Sequence, residues 1–294
     1  MSSLAWTVYA EFVGIYILVV WAMYLPFRGG QLYSGPIYCA LIGAYGSAMT
    51  AKNYDWPFGW ALLLGLAVGT FIGFLTSFAF SRSAGLVTAT ASLALIFILS
   101  AALKMVAFVG GSMGIMNIPH ISYLPIVIWI CVLLVGLFIY RVDSSRAGRA
   151  LEAERTDPDL AKTLGVNMPS LNVFSMTISS LLGALAGGFF SFTVGAINPD
   201  SFTFSLLLST MAMLFIGGRY TMWGVIIAVP ILTGLPLWVP YSVRPYMDLV
   251  TGALLVIVLV LRPEGIISRE LLLRLTTWGK SWFRRNKEES LPSN

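Results

Sequence analysis

Long apolar runs, punctuated by Gly, Pro and short polar turns, set the rhythm of this chain. Nine stretches approach or reach the ~20 residues that cross a bilayer: 6–25, 32–51, 58–80, 86–109, 121–140, 171–194, 202–216, 222–239 and 247–261. The pattern predicts an all-α, polytopic transmembrane helical bundle of eight or nine spans. The sixth to ninth runs carry interior Gly, Pro or Ser, so broken or re-entrant helices are expected among them. The membrane domain is placed at 1–265, with a polar loop at 141–171, and a basic tail at 266–294.

One polar island, residues 141–171, interrupts the pattern. It holds Asp143, Glu152, Glu154, Asp157 and Asp159 together with Arg141, Arg146, Arg149, Arg155 and Lys162, in a chain that is otherwise nearly uncharged. Asp157 reads as a helix N-cap and Pro158 as the first helical residue, where its missing N–H costs nothing. Gly165 reads as the stop. The interval predicts a helix over 158–164, about 10 Å long, with Leu160, Ala161 and Leu164 on one face. An amphipathic stub between membrane spans is what a membrane subunit needs to grip a motor in the aqueous phase.

Composition agrees: 57% of residues are hydrophobic, 11% are charged, and the mean hydropathy is +0.84. The net charge of +5 is no nucleic-acid signal. Seven basic residues follow the last run (Arg262, Arg269, Arg274, Lys280, Arg284, Arg285, Lys287) and five lie in the island. The positive-inside rule then places both segments in the cytoplasm, with four candidate spans between them. Arg28 is the first basic residue, which predicts an uncleaved first helix with an external N-terminus.

Chemistry-bearing patterns are scarce. Cys39 and Cys131 lie in separate apolar runs and read as packing residues, and His120 reads as an interfacial residue. No metal site or cofactor is expected. Gly279-Lys280-Ser281 imitates the end of a phosphate-binding loop, but Arg274 stands where the leading glycine belongs. A nucleotide that drives this protein must therefore bind another chain, and no catalytic residue is assigned. Glu11 and Lys104 are charged within apolar runs, and Arg28, Lys52, Asp55, Arg82, Asp200, Arg219, Arg244 and Asp248 stand near their ends. Glu11 reads as a helix-end carboxylate reaching water, so an ion-coupled carrier lacks its mid-membrane carboxylates. The glycines and Pro36 of Gly30-Gln31-Leu32-Tyr33-Ser34-Gly35-Pro36, followed by Gly43-Ala44-Tyr45, predict a bent helix lining a translocation pathway. Its candidate residues are Gly30, Gln31, Gly35, Pro36, Gly43 and Tyr45.

Taken in order, these blocks resemble the branched-chain amino acid ABC transporter permease family of the LivM/LivH type, closer to LivM. Gly30, Gln31, Leu32, Gly35, Gly43, Ala44 and Tyr45 match the family's G-Q-L-S-x-G-H-A…G-A-Y pattern, which the chain leaves at Pro36 and Tyr38. Gly110-Gly111-Ser112-Met113-Gly114 and Ile118-Pro119 resemble its glycine loop. Gly148, Arg149, Ala150, Arg155, Ala161, Leu164, Gly165 and Asn167 fit its central signature, from which Lys162 departs. Phe215-Ile216-Gly217-Gly218, Trp223-Gly224 and Leu261-Arg262-Pro263-Glu264-Gly265-Ile266 resemble the closing motifs of the LivM branch. The resemblance implies a multi-pass subunit of the bacterial inner membrane, pairing with a second homologous permease subunit. Two cytoplasmic ATPase subunits, an external substrate-binding protein and membrane lipid complete the implied set of partners, without nucleic acid. It also implies branched-chain or related amino acids as cargo. The departures at Pro36 and Tyr38 keep urea, amides and aromatic acids open, and the residues alone leave a stand-alone secondary carrier or channel as the alternative.

Reporter fusions at Ser145 and Ser290 test the orientation. Both should report a cytoplasmic location, and an external signal from either overturns it.

Overall fold

A computed structural model describes residues 3–238 except 84, 120, 219 and 220, and a few isolated positions between 249 and 256. His120, Arg219, the tail, and most of the expected span 247–261 lie outside the described residues. Ten helices follow one another: α1 Ser3–Arg28, α2 Gly35–Asn53, α3 Phe58–Phe80, α4 Gly85–Met105, α5 Leu124–Ser144, α6 Arg146–Thr156, α7 Pro158–Thr163, α8 Met168–Val194, α9 Phe204–Gly217 and α10 Met222–Trp238. Two short strands, β1 Ile115–Met116 and β2 Ala196–Ile197, pair antiparallel with Ile115 opposite Ile197.

The span count is lower than the sequence pattern predicts. Among the described residues, six helices are long and apolar enough to cross a membrane, and Met222–Leu235 is a shorter apolar helix. The difference starts with α2. It has 19 residues but is walled by α1, α3, α4 and α8. Protein rather than lipid surrounds it, so it tolerates the buried Ser47 and Thr50 and falls short of a membrane span's apolarity. The chain does not bend at Pro36 either. Pro36 lies in the first turn of α2 and starts the helix. The interruption precedes it, between α1 and α2, where Gly30 takes a left-handed φ of +79° that a side chain would strain.

Each outer helix buries one narrow stripe. In α3 it is Ala61, Gly65, Gly69, Gly73 and Ser77; in α4 it is Thr88, Ser92, Ile96 and Ser100. Opposite them stand large exposed residues such as Phe71, Phe78, Leu86 and Ile98. Small, weakly polar groups inward and bulky apolar groups outward is the arrangement of a helix facing lipid, where hydrophobicity cannot drive association and close packing must.

The tightest packing joins α2 and α8. A Cβ on Gly43 would meet the Ala184 backbone, one on Gly183 the Pro36 backbone, and one on Gly187 the Ala40 carbonyl. Gly65 of α3 wedges in against Gly43 and Ser47, and Gly73 against Ser180. At one end of the bundle, Arg28, the C-terminal end of α5, α6, α7 and the start of α8 share a face. The other end carries β1–β2 and the Lys104–Asp200 ion pair at 2.5 Å. There Gly114 (φ +75°) abuts the Ile197 carbonyl, so this loop glycine serves a tight turn into the strand pair. Glu11 is 4% exposed; it is enclosed in the bundle rather than reaching water, because α1 extends beyond it to Ser3 and packs against α8 and α10.

Replacing Gly187 with Leu should lower the unfolding free energy in detergent by about 3 kcal/mol, since the added atoms have no space to enter. Gly59, with nothing near its Cβ position, should accept Leu without loss. Equal stability of the two variants in a denaturant titration would contradict the packing described.

Candidate functional site

The polar island folds into a helical hairpin. The Ser145 hydroxyl opens α6 by accepting from the amides of Ala147 and Gly148 at 3.1 and 3.4 Å. The Asp157 carboxylate opens α7 by accepting from Asp159 and Leu160 at 3.1 and 3.0 Å, a cap of the kind worth about 1 kcal/mol. Pro158 is the first residue of α7. The helix ends at Thr163 with Leu164 as its C-cap, and Gly165 follows in a left-handed conformation. The predicted apolar face is divided between two environments. Ala161 is 1% exposed and faces the bundle, whereas Leu160 and Leu164 are 57% and 73% exposed.

Helix α6 buries Gly148, Leu151 and Glu154. The sequence reading did not include it, since a stripe containing a glycine and a glutamate gives little apolar periodicity. The root of the hairpin is held by charge. Arg28, at the end of α1, pairs with Asp143 and lies 3.6 Å from Glu152. Tyr24 donates to Asp143 Oδ2 at 2.9 Å and accepts from Arg28 at 3.1 Å. Both charges are largely shielded, so each depends on the other and on Tyr24 to replace the solvation lost on burial. Sequence reasoning missed this cluster; the lone Arg28 in a long uncharged stretch was the one signal that could have found it.

The predicted pathway residues cluster along α2. Gly30 lies against the hairpin, with Arg155 Cγ 3.4 Å from its Cβ position, so the two predicted sites adjoin. Gly35 packs against the Tyr33 ring, Pro36 against Gly183, and Gly43 against Ala184. Tyr45 is 3% exposed and its hydroxyl is buried without a hydrogen-bond partner. Beside them is a cluster that the sequence did not disclose. Tyr33 and Tyr38 hydroxyls are 2.7 Å apart, Tyr38 reaches Thr76 at 2.6 Å, and Tyr33 reaches Ser180 at 3.1 Å. It links the start of α2 to α3 and α8, and two of its members flank or replace family-pattern positions. Residues so far apart in the chain leave no local signature.

Glu154 is the buried ionisable group of the hairpin, 6% exposed. Burial pushes its carboxyl above the usual glutamate range, and the polar Asn172 and Gln31 side chains beside it offset part of that rise.

Residues 8–259 match the family described as branched-chain amino acid transport system, permease component. The chain is 29% identical to the high-affinity branched-chain amino acid transport system permease protein LivM of Escherichia coli over 148 residues, 50% of this chain and 35% of that protein. It is 32% identical to BraD of Pseudomonas aeruginosa, a permease protein of the same description, over 52% of this chain and 50% of that one. Identity to LivH of Escherichia coli is 33%, over 51% and 49%. The matched stretch thus spans about a third to a half of these relatives' length. No solved structure matches the chain.

A raised carboxyl means that folding favours the protonated acid. Its stabilisation is present below the ordinary glutamate range and is lost as pH rises through the folded-state value. The thermal midpoint should therefore fall further between about pH 5 and about pH 8 in the wild-type protein than in Glu154→Gln. Parallel pH profiles would remove Glu154 as the cause.

Proposed function

We propose that this chain, which belongs to the family of branched-chain amino acid transport system permease components, is the membrane subunit of an ATP-driven importer. It is a multi-pass membrane protein and a permease component rather than an enzyme. The observation that carries the reading is the hairpin: a capped helix held against the bundle through Ala161, presenting exposed Leu160 and Leu164 outward. Two leucines kept in water cost free energy unless a partner covers them. A cytoplasmic ATPase accepting α7 in a groove would bury them and move the hairpin when it closes on ATP. Rooting through Arg28 and Asp143 then passes that movement to α1 and α5. A second homologous permease subunit would lie against the bundle in the bacterial inner membrane, and an external binding protein would deliver cargo to the opposite face. The passage runs beside α2, near Gly30, Gln31, Gly35, Pro36, Gly43 and Tyr45.

The relatives' descriptions support branched-chain amino acids as cargo. The scarcity of charges along the bundle agrees with a net-neutral solute, because an unpaired charge in low dielectric is costly. The test is uptake of labelled leucine, isoleucine and valine by cells with and without this gene, its partner subunits being present. Uptake should depend on the gene. Leu160→Asp should abolish it while the permease still inserts, since losing one buried Leu contact costs about 2 kcal/mol and a carboxylate replaces it. Normal uptake in that variant overturns the coupling role; gene-independent uptake of all three amino acids overturns the cargo.

A further inference from the structure

On the hairpin face, a cavity of about 610 Å³ opens between α6–α7, the turn before α2, the α3–α4 turn and the start of α8. That volume lies within the range of about 300–1,000 Å³ usual for small-molecule sites. Its lining is unusually uneven in hydrogen-bonding terms. Gln31 Oε1, Glu154 Oε2 and Asn172 Oδ1 are each buried without a hydrogen-bond partner, and all three residues line the cavity. Glu154 and Asn172 are 6% and 3% exposed. The Gln31 and Asn172 amides lie within reach of Glu154, and the Asn172 amide also donates to the Ser81 carbonyl at 3.3 Å, which leaves the carbonyl oxygens of both without a donor. Two glycines stand close to these oxygens: a Cβ on Gly85 would lie 3.6 Å from Gln31 Oε1, and one on Gly29 would lie 3.7 Å from Glu154 Oε2.

Buried acceptors without donors are uncommon and call for a cause. A bound cation would draw the Glu154 acid back to its carboxylate, so the three acceptors match a group that carries three N–H donors and a positive charge, which is a primary ammonium. The same cavity is lined by Arg82, Arg155 and Lys162. Arg82 is exposed, and Lys162 is bound at 3.0 Å to Asp159. A guanidinium is suited to a carboxylate. Buried acceptors and an exposed cation in one cavity are the complement of an α-amino acid, whose ammonium and carboxylate are separated by one carbon.

We propose that this cavity is a regulatory site for a free amino acid, its ammonium held by Gln31, Glu154 and Asn172 and its carboxylate by Arg82. The site shares Gly30 and Gln31 with the foot of the predicted passage and reaches from there to the hairpin. A ligand there ties the coupling hairpin to the starts of α2 and α8 and to the α3–α4 turn. It therefore restrains the element whose movement would drive transport. With the hairpin face in the cytoplasm, accumulated amino acid slows its own import. This regulatory role rests on the importer reading; binding itself does not.

The experiment uses the full chain in lipid nanodiscs and follows its thermal midpoint against leucine, lysine and glutamate. Isopentylamine, with the ammonium alone, and 4-methylpentanoate, with the carboxylate alone, dissect the contacts. At least one amino acid should raise the midpoint. Glu154→Gln and Arg82→Gln should each weaken its binding by about tenfold or more, the scale of losing one charged partner. Isopentylamine should bind more weakly than the amino acid and be insensitive to Arg82→Gln, and 4-methylpentanoate should not bind. Arg82 is exposed, so that variant keeps the test valid if Glu154→Gln unfolds. No stabilisation by any of the three amino acids overturns the proposal, as does binding unchanged in Arg82→Gln. Binding as expected in a chain that imports none of them retains the site and removes the importer reading alone.

Discussion

Everything in this bundle depends on how closely the backbones of α2 and α8 approach. In lipid, side chains gain little from leaving their surroundings, so helices associate through van der Waals contact and the occasional hydrogen bond. Gly43, Gly183 and Gly187 remove the side chains that would hold the two backbones apart. Ala40, Ala184 and the Pro36 backbone complete the contact. The same closeness lets α3 enter through Gly65, Gly69 and Gly73. It also brings Tyr33, Tyr38, Thr76 and Ser180 within reach of one another, so that their hydroxyls satisfy each other rather than remain as buried, unpaired groups.

This packing makes α2 a pillar rather than a wall, and the hairpin is built around its foot. Gly30 allows the turn into α2, Arg155 lies against that turn, and Asn172 holds the α3–α4 connection to α8. A movement of α7 is therefore transmitted to several helices at once. The transmission needs no long-range wire; the elements touch at one end of the bundle.

Legibility followed locality. The α7 helix could be read because its signals, Asp157, Pro158 and Gly165, lie within nine residues and act on the adjacent backbone. The apolar runs gave the membrane class, and 58–80 coincides with α3. The run 32–51 and Pro36 were misread for one reason: α2 is enclosed by protein, so its polarity and its proline answer to neighbours that the local pattern does not name. Leu160 and Ala161 share an apolar character but meet opposite surroundings, which periodicity cannot resolve. The cavity draws Gln31, Arg82, Glu154 and Asn172 from four separate segments, so only folding brings its chemistry together.

The clamp of Tyr24, Arg28 and Asp143 bears on how the chain is made. Tyr24 and Asp143 are 119 residues apart, so at 5–20 residues per second the ribosome supplies the carboxylate on the order of ten seconds after the tyrosine. During that interval α1 has its cation at the membrane boundary without its eventual partner, and lipid headgroups or water must solvate it. The clamp closes only once α5 has arrived. Biogenesis of this protein therefore has a built-in order, with the first helix inserted early and fixed in place late, as the hairpin emerges.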